Sequence, residues 1–221
     1  MHKKQEALQA LLEQKLLPLY YHDSPEVSQS VLQALYAAGI RTLEYTNRGE
    51  HALDNFKTLR KTVDKTMPGL QLGIGTIKTR KQAKKFVEAG ADFVVCPSLN
   101  EEVAEVVHDA GLLWIPGCLT TTEIATAEAA GATVVKIFPG NLLGPSYIRA
   151  IKDIFPDLLF MPTGGVEAEA GNLKSWFDAG VVAVGMGSKL ISRERIEARE
   201  FDRLRDDTVQ ALELVQRATQ P

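Results

Sequence analysis

A single lysine, Lys136, stands in the middle of the apolar run Thr133-Val134-Val135-Lys136-Ile137-Phe138-Pro139. In a strand, the even-numbered residues Val134, Lys136 and Phe138 share one face, and Val135 and Ile137 share the other. Both faces are otherwise apolar, which reads as a strand buried on both sides in a parallel sheet under helices. An ammonium in that position must find a partner or give up its proton, because burial disfavours the charged form. The plain alternative is a lysine at the strand's end that snorkels to solvent. The chemical reading is a sequestered amine that acts as a nucleophile.

A second polar set is Glu44-Tyr45-Thr46-Asn47-Arg48. Parity puts Thr42, Glu44 and Thr46 on one face and Leu43 and Tyr45 on the other. Pointed into a barrel, the polar face would look towards Lys136. A tight Glu44–Lys136 ion pair is the structural alternative, and it would keep the lysine charged. For catalysis the carboxylate must instead reach a proton on a substrate adduct, directly or through one water. The guanidinium of Arg48 offers a planar fork suited to a carboxylate.

Two glycine-bearing loops follow, Pro162-Thr163-Gly164-Gly165-Val166 and Gly185-Met186-Gly187-Ser188. Glycine lets backbone N–H groups approach an anion, and a helix N-terminus beyond would add a favourable dipole. Ordinary tight turns are the alternative; two adjacent loops, each with a hydroxyl (Thr163, Ser188), favour a phosphate. A lysine, one carboxylate, an arginine and a phosphate cradle together fit imine chemistry on a phosphorylated keto acid.

The scaffold that would bring these groups together is legible in the punctuation. Ala-Gly pairs at 38–39, 89–90, 110–111, 130–131 and 179–180 read as helix ends, with Pro68-Gly69 and Pro156-Asp157 as further breakers. They recur every 20 to 30 residues or so, roughly the length of one strand-plus-helix unit. Ser24-Pro25, Thr79 to Gln82, Ser98 to Glu101 and Thr120 to Glu123 read as helix starts, the last three as capping boxes. Eight short apolar runs precede the helices: Leu16 to Tyr20, Thr42 to Tyr45, Leu70 to Ile74, Phe93 to Cys96, Leu113 to Ile115, Val134 to Ile137, Leu158 to Met161 and Val181 to Val184.

Eight such units imply a single α/β domain over residues 1–221, a (β/α)8 TIM barrel with its site at the C-terminal strand ends. A doubly wound open sheet is the runner-up. A short amphipathic helix is expected at the N-terminus. The charged stretch Arg193 to Thr219 reads as a C-terminal helix whose inner face is Leu204, Val209, Leu212 and Val215.

A chain of 221 residues buries a full core, and its net charge of −3 argues against nucleic-acid or anionic-membrane surfaces. No run is apolar enough to span a membrane, and the polar-broken start does not read as a signal peptide. Cys96 and Cys118 are expected as free buried thiols in a reducing cytoplasm, without a zinc spacing.

Four segments in this order and spacing, Glu44 to Arg48, Gly73-Ile74-Gly75-Thr76, Lys136-Ile137-Phe138-Pro139 and Pro162 to Gly165, carry a resemblance. From about residue 16 to 191 the chain resembles the bacterial aldolases that cleave 2-keto-3-deoxy-6-phosphogluconate, and their relatives acting on 4-hydroxy-2-oxoglutarate. The resemblance implies a class I aldolase, usually a homotrimer, with no metal and no other cofactor. It implies that Lys136 forms a Schiff base and Glu44 shuttles the proton. Arg48 and Thr76 would hold the pyruvate carboxylate. Thr163, Gly164, Gly165 and Ser188 would line the remainder of the substrate and its phosphate, and Phe138 and Pro97 would wall the pocket.

Two segments depart from the family. Many members carry an arginine at the end of strand one, where this chain reads Leu19-Tyr20-Tyr21-His22. Gly140-Asn141-Leu142-Leu143-Gly144-Pro145, after the lysine, also differs. Both bear on the aldehyde half of the substrate. Two other function classes stay open at the level of sequence. One is a non-catalytic barrel that senses a phosphorylated metabolite; the other is a phosphate-binding isomerase or epimerase that uses Glu44 as base and does not need the lysine.

Overall fold

The apolar runs become parallel strands: β1 (Leu16–Tyr20), β2 (Thr42–Thr46), β3 (Gln71–Gly75), β4 (Phe93–Val95), β5 (Leu113–Ile115), β6 (Gly117–Cys118), β7 (Val134–Ile137), β8 (Leu159–Pro162) and β9 (Val184–Met186). Between and around them lie α1 (Lys3–Gln14), α2 (Pro25–Ala37), α3 (Ala52–Thr66), α4 (Arg80–Glu88), α5 (Glu101–Asp109), α6 (Thr121–Ala129), α7 (Gly140–Ile151), α8 (Ala170–Asp178), α9 (Arg193–Glu197) and α10 (Phe201–Ala218). This computed structural model describes residues 3–220; Met1, His2 and Pro221, the ends of the expected 1–221 domain, lie outside the described residues. None of its helices is long and apolar enough to cross a membrane.

The strands form a six-stranded sheet of order β5-β4-β3-β2-β1-β9 and a three-stranded sheet of order β6-β7-β8. Two seams separate them, and each has a local cause. Pro116 has no N–H to give, so the fifth apolar run ends there as β5 and a further strand, β6, begins beyond it, while the Pro116 carbonyl still accepts the Lys136 N–H at 2.8 Å. At the other seam a single parallel bridge joins Thr163 to Gly185. Below it, the Val182 N–H donates to the Phe160 carbonyl at 3.1 Å.

Leu17, Phe93, Val95, Leu113, Ile115, Val134 and Met161, drawn from both sheets, share one apolar cluster with Ala7 and Leu11 of α1. Both sheets therefore face a common interior. Gln14, at the end of α1, donates to the Thr42 carbonyl at 2.8 Å and accepts the Thr42 N–H at 3.0 Å. These bonds seat α1 at the N-terminal strand ends. Leu11, 2% exposed, fills that end, and burying such a side chain stabilises by about 1.5–3 kcal/mol. The opposite strand faces carry Leu43, Tyr45, Val135 and Ile137 into a second, larger cluster with the helices. Period-two alternation thus sorts β2 and β7 as expected.

Several boundaries differ from the sequence reading. The helix expected to start at Ser98 is capped by Asn100, whose side chain accepts the Val103 N–H at 3.2 Å. The last strand is Val184–Met186 rather than Val181 to Val184, because it pairs with β1 through Leu16 and Val184, and β1 begins only where α1 ends. The charged C-terminal stretch breaks into α9 and α10 around Arg199, at φ 55°. The inner face of α10 is Leu204, Thr208, Ala211 and Val215, with Leu212 half-buried against the core as expected, whereas Val209 is exposed. Hydrophobicity alone missed Thr208, whose hydroxyl is satisfied by its own helix, donating to the Leu204 carbonyl at 2.7 Å.

Candidate active site

On β2, Thr42, Glu44 and Thr46 are all buried and polar, and Glu44 is only 1% exposed. On β7, Lys136 is 4% exposed. Glycines stand beside both side chains on the neighbouring strands, and one of them, Gly75, makes room for Glu44. Glu44 is in register with Gly73 on β3, and Lys136 with Gly117 on β6. A methyl group added to Gly75 would stand 1.7 Å from Oε1 of Glu44. Gly75 is therefore the floor on which the carboxylate rests. Gly75→Ala is expected to destabilise the fold by about 1–3 kcal/mol through overpacking, and to cost about a hundredfold or more in kcat by displacing the acid–base group. Denaturant melts and steady-state rates on the variant check both; wild-type turnover would show that the carboxylate sits elsewhere.

No ion pair joins Glu44 to Lys136 among the described residues, and both Glu44 oxygens lack a hydrogen-bond partner. The tight-pair alternative is therefore absent. Burial raises the Glu44 carboxyl above the ordinary 4.5, while the positive charges of Lys136 and Arg48 pull it back only in part. A carboxyl of this kind holds a proton more readily than an exposed one and can hand it on. The hydroxyls of Thr42, Thr46 and Thr163 are likewise buried and unpartnered. Unsatisfied polar atoms gathered at one interior are costly to the fold and mark a place built for something other than stability.

Lys136 Nζ lies 4.8 Å from the centroid of the Phe138 ring, so the aromatic face shields the amine as strand parity implied. Pro97 follows β4, and its carbonyl would lie 2.5 Å from a methyl on Gly117, the strand partner of Lys136. Thr76, directly after β3, holds a positive φ of 60°. A threonine in that left-handed region is strained, a condition found most often at binding and catalytic sites. Burial pushes the thiols of Cys96 and Cys118 up to about 12, so neither supplies a thiolate at neutral pH.

Arg48 and Ser188 are exposed and share a cleft of about 430 Å³ with Leu19, Tyr21, His22 and Gly187. Thr163, Gly164 and Gly165 follow β8, and both glycines have positive φ, 90° and 73°. The expected helix dipole is missing from both loops. After β9 the chain makes a turn closed by the Gly187 carbonyl, which accepts from Leu190 and Ile191, and the next helix starts only at Arg193. After β8 the next helix starts at Ala170. What the loops do offer is N–H groups: those of Gly165, Ser188 and Lys189 donate to no acceptor among the described residues.

Residues 8–206 match the family described as KDPG and KHG aldolase. This chain belongs to that family. It is 39% identical to the 2-dehydro-3-deoxy-6-phosphogalactonate aldolase of Escherichia coli over 120 residues, which span 54% of this chain and 58% of that relative. Among solved structures, a 4-hydroxy-2-oxoglutarate/2-dehydro-3-deoxyphosphogluconate aldolase superposes with a TM-score of 0.80 at 36% identity, covering 95% of this chain and 98% of that one. The KDPG aldolase of Legionella pneumophila, with pyruvate captured as a covalent carbinolamine, superposes with a TM-score of 0.81 at 25% identity, covering 91% and 96%.

Within this aldolase, the structure brings Glu44 and Lys136 to one interior, and Arg48 and Ser188 to one cleft. Thr76, Pro97 and Thr163 stand at the C-terminal ends of β3, β4 and β8. Sequence reasoning gave no role to Gly73, Gly75 or His22. The alternation of Gly73 and Gly75 in one strand was the available signal, since inward glycines at period two mean that a neighbour's side chain crosses that face.

Proposed function

We propose that this aldolase reversibly cleaves a 2-keto-3-deoxy-6-phospho sugar acid to pyruvate and glyceraldehyde 3-phosphate, and/or 4-hydroxy-2-oxoglutarate to pyruvate and glyoxylate, through a Schiff base on Lys136. The observation that carries this reading is a buried amine and a buried carboxyl facing one interior with no ion pair between them. The unprotonated amine adds to the C2 ketone, and Glu44 relays the protons by which the carbinolamine loses water. The resulting iminium takes up the electron pair of the C3–C4 bond as it breaks, while the C4 hydroxyl gives its proton to Glu44. The aldehyde leaves, C3 of the enamine is reprotonated, and hydrolysis of the imine frees pyruvate and the amine.

Arg48 and Thr76 hold the substrate carboxylate, and Phe138 and Pro97 wall the reacting carbons. Thr163, Gly164, Gly165 and Ser188 line the aldehyde half and its phosphate, a role supported by the free N–H groups of these loops. The two sheets form one closed eight-stranded barrel in a single domain, a reading supported by the shared interior cluster and the bonds across both seams. The family resemblance further supports a homotrimer, and the free buried thiols of Cys96 and Cys118 support a reducing cytoplasm. Membership of an aldehyde-lyase family favours catalysis over the sensor and isomerase readings.

Pyruvate release from each keto acid, followed through lactate dehydrogenase and NADH, tests the assignment. Turnover of at least one substrate is expected; release of pyruvate from neither would overturn it.

A further inference from the structure

We propose that His22 is the hydrogen-bond donor that recognises the terminal phosphate of the aldehyde half, reaching from the loop after β1 into the cleft shared with Arg48 and Ser188. The inference rests on the aldolase reading above and assigns a specificity-determining residue to it. The loop is held with unusual care. Its His22 carbonyl receives three side-chain donors: Tyr45 Oη at 2.9 Å, Asn55 Nδ2 at 3.0 Å and Ser28 Oγ at 3.0 Å. The same Asn55 amide also donates to the Asp23 carbonyl at 2.9 Å. Ser28, Tyr45 and Asn55 are themselves buried. Buried donors converging on a surface loop fix that loop's position, which a mere connection between a strand and a helix does not need.

The clamp also sets the ring. The Ser24 N–H donates to His22 Nδ1 at 3.0 Å. A nitrogen that accepts carries no hydrogen, so the neutral imidazole bears its proton on Nε2 and is a donor there. Half-buried His22 lines the cleft of about 430 Å³ between the C-terminal ends of β1, β2 and β9. The charges around it leave room for an anion. Asp23 is engaged by the Tyr21 hydroxyl, and Glu197 is paired with Arg193 at 2.6 Å. Arg48 stands in the same cleft, and the Ser188 and Lys189 N–H groups donate to no acceptor among the described residues. With Arg48 kept for the carboxylate, a phosphate accepts from His22 Nε2 and from these two N–H groups at once, and charge-assisted bonds of this type are the strong ones.

The test is steady-state kinetics in the aldol direction with pyruvate and either glyceraldehyde 3-phosphate or glyoxylate, on wild type, His22→Phe and His22→Gln. Phenylalanine keeps a flat ring without a donor; glutamine returns an N–H near the Nε2 position. The clamp grips the backbone carbonyl, so both variants keep it. His22→Phe is expected to raise KM for glyceraldehyde 3-phosphate about ten- to a hundredfold, the weight of one hydrogen bond to a charged group. It should leave kcat and the KM for glyoxylate within about threefold, weaken competitive inhibition by inorganic phosphate, and be largely rescued in His22→Gln. Exchange of the pyruvate methyl protons with deuterated solvent, which needs only the lysine half of the site, should be unchanged. An unaltered KM for glyceraldehyde 3-phosphate in His22→Phe overturns the proposal, as does a wild type that does not turn over that aldehyde. So does an equal loss with glyoxylate or in exchange, which would mark a structural role. Failure of exchange in wild type would strike the aldolase reading itself.

Discussion

Lys136→Ala is expected to leave a folded protein that releases no pyruvate, a loss on the order of 10⁵-fold or more, as when a covalent nucleophile is taken from a catalytic unit. The side chain makes no hydrogen bond or ion pair among the described residues, so its removal forfeits packing rather than a polar network. The melting temperature should therefore move little, at about 2–4 °C for each kcal/mol in a chain of this size. One electrostatic effect accompanies the change. The lysine charge pulls the Glu44 carboxyl down, so alanine at this position lets that carboxyl rise further. Lys136→Arg separates the two roles, since it keeps a cation beside Glu44 but supplies no nucleophile, and it should be as inactive as the alanine variant. Turnover within about tenfold of wild type in either variant would remove the imine from the mechanism.

Glu44→Gln should slow turnover by about two to four orders of magnitude, because glutamine neither accepts nor releases the proton. The same substitution is expected to change stability in the opposite direction, and the pH dependence gives the reason. The folded-state carboxyl lies above its ordinary value of 4.5 because it is buried without partners. The native state thus binds this proton more tightly than the unfolded chain does. Its contribution to stability is whole below the unfolded value and is lost as pH rises through the folded one. Above that window the wild type bears a buried, unsatisfied charge that the glutamine variant does not. Melting curves from pH 5 to pH 8 check this: the variant should melt higher at pH 8, with the gap closing towards pH 5. Identical slopes for the two proteins would mean that Glu44 is solvated in the fold.

Much of this site was legible in the sequence because strands obey a period of two. The parity that put Val134, Lys136 and Phe138 together is seen in the Lys136–Phe138 contact and in the inward-facing cluster holding Val134. The parity of Thr42, Glu44 and Thr46 is seen in their shared burial. The Ala-Gly helix ends were readable for a similar reason: Gly39 and Gly90, with φ of 103° and 92°, occupy a backbone region that side chains rarely adopt.

What sequence could not supply was distance between strands far apart in order. Glu44 and Lys136 lie on β2 and β7, and whether they form an ion pair depends on how the intervening strands sit. Nothing in either segment fixes that. The short-range misses have a different origin, because polar side chains choose among several backbone partners. Asn100 outcompeted Ser98 as a cap because its amide also reaches the Lys78 carbonyl at 3.1 Å, a contact 22 residues away. Glycine after β9 suggested a helix N-terminus, but the Gly187 carbonyl closes a turn on itself instead. The His22 loop was legible only as a departure from the family; the donors that hold it come from α2, β2 and α3.

The most direct measurement is reduction of the enzyme with borohydride in the presence of pyruvate, followed by proteolysis and mass mapping of the peptides. A single adduct is expected, a secondary amine joining the pyruvate carbon skeleton to Lys136 and absent when either pyruvate or borohydride is withheld. A label on another lysine, or an active enzyme that takes up none, would contradict a Schiff base at Lys136.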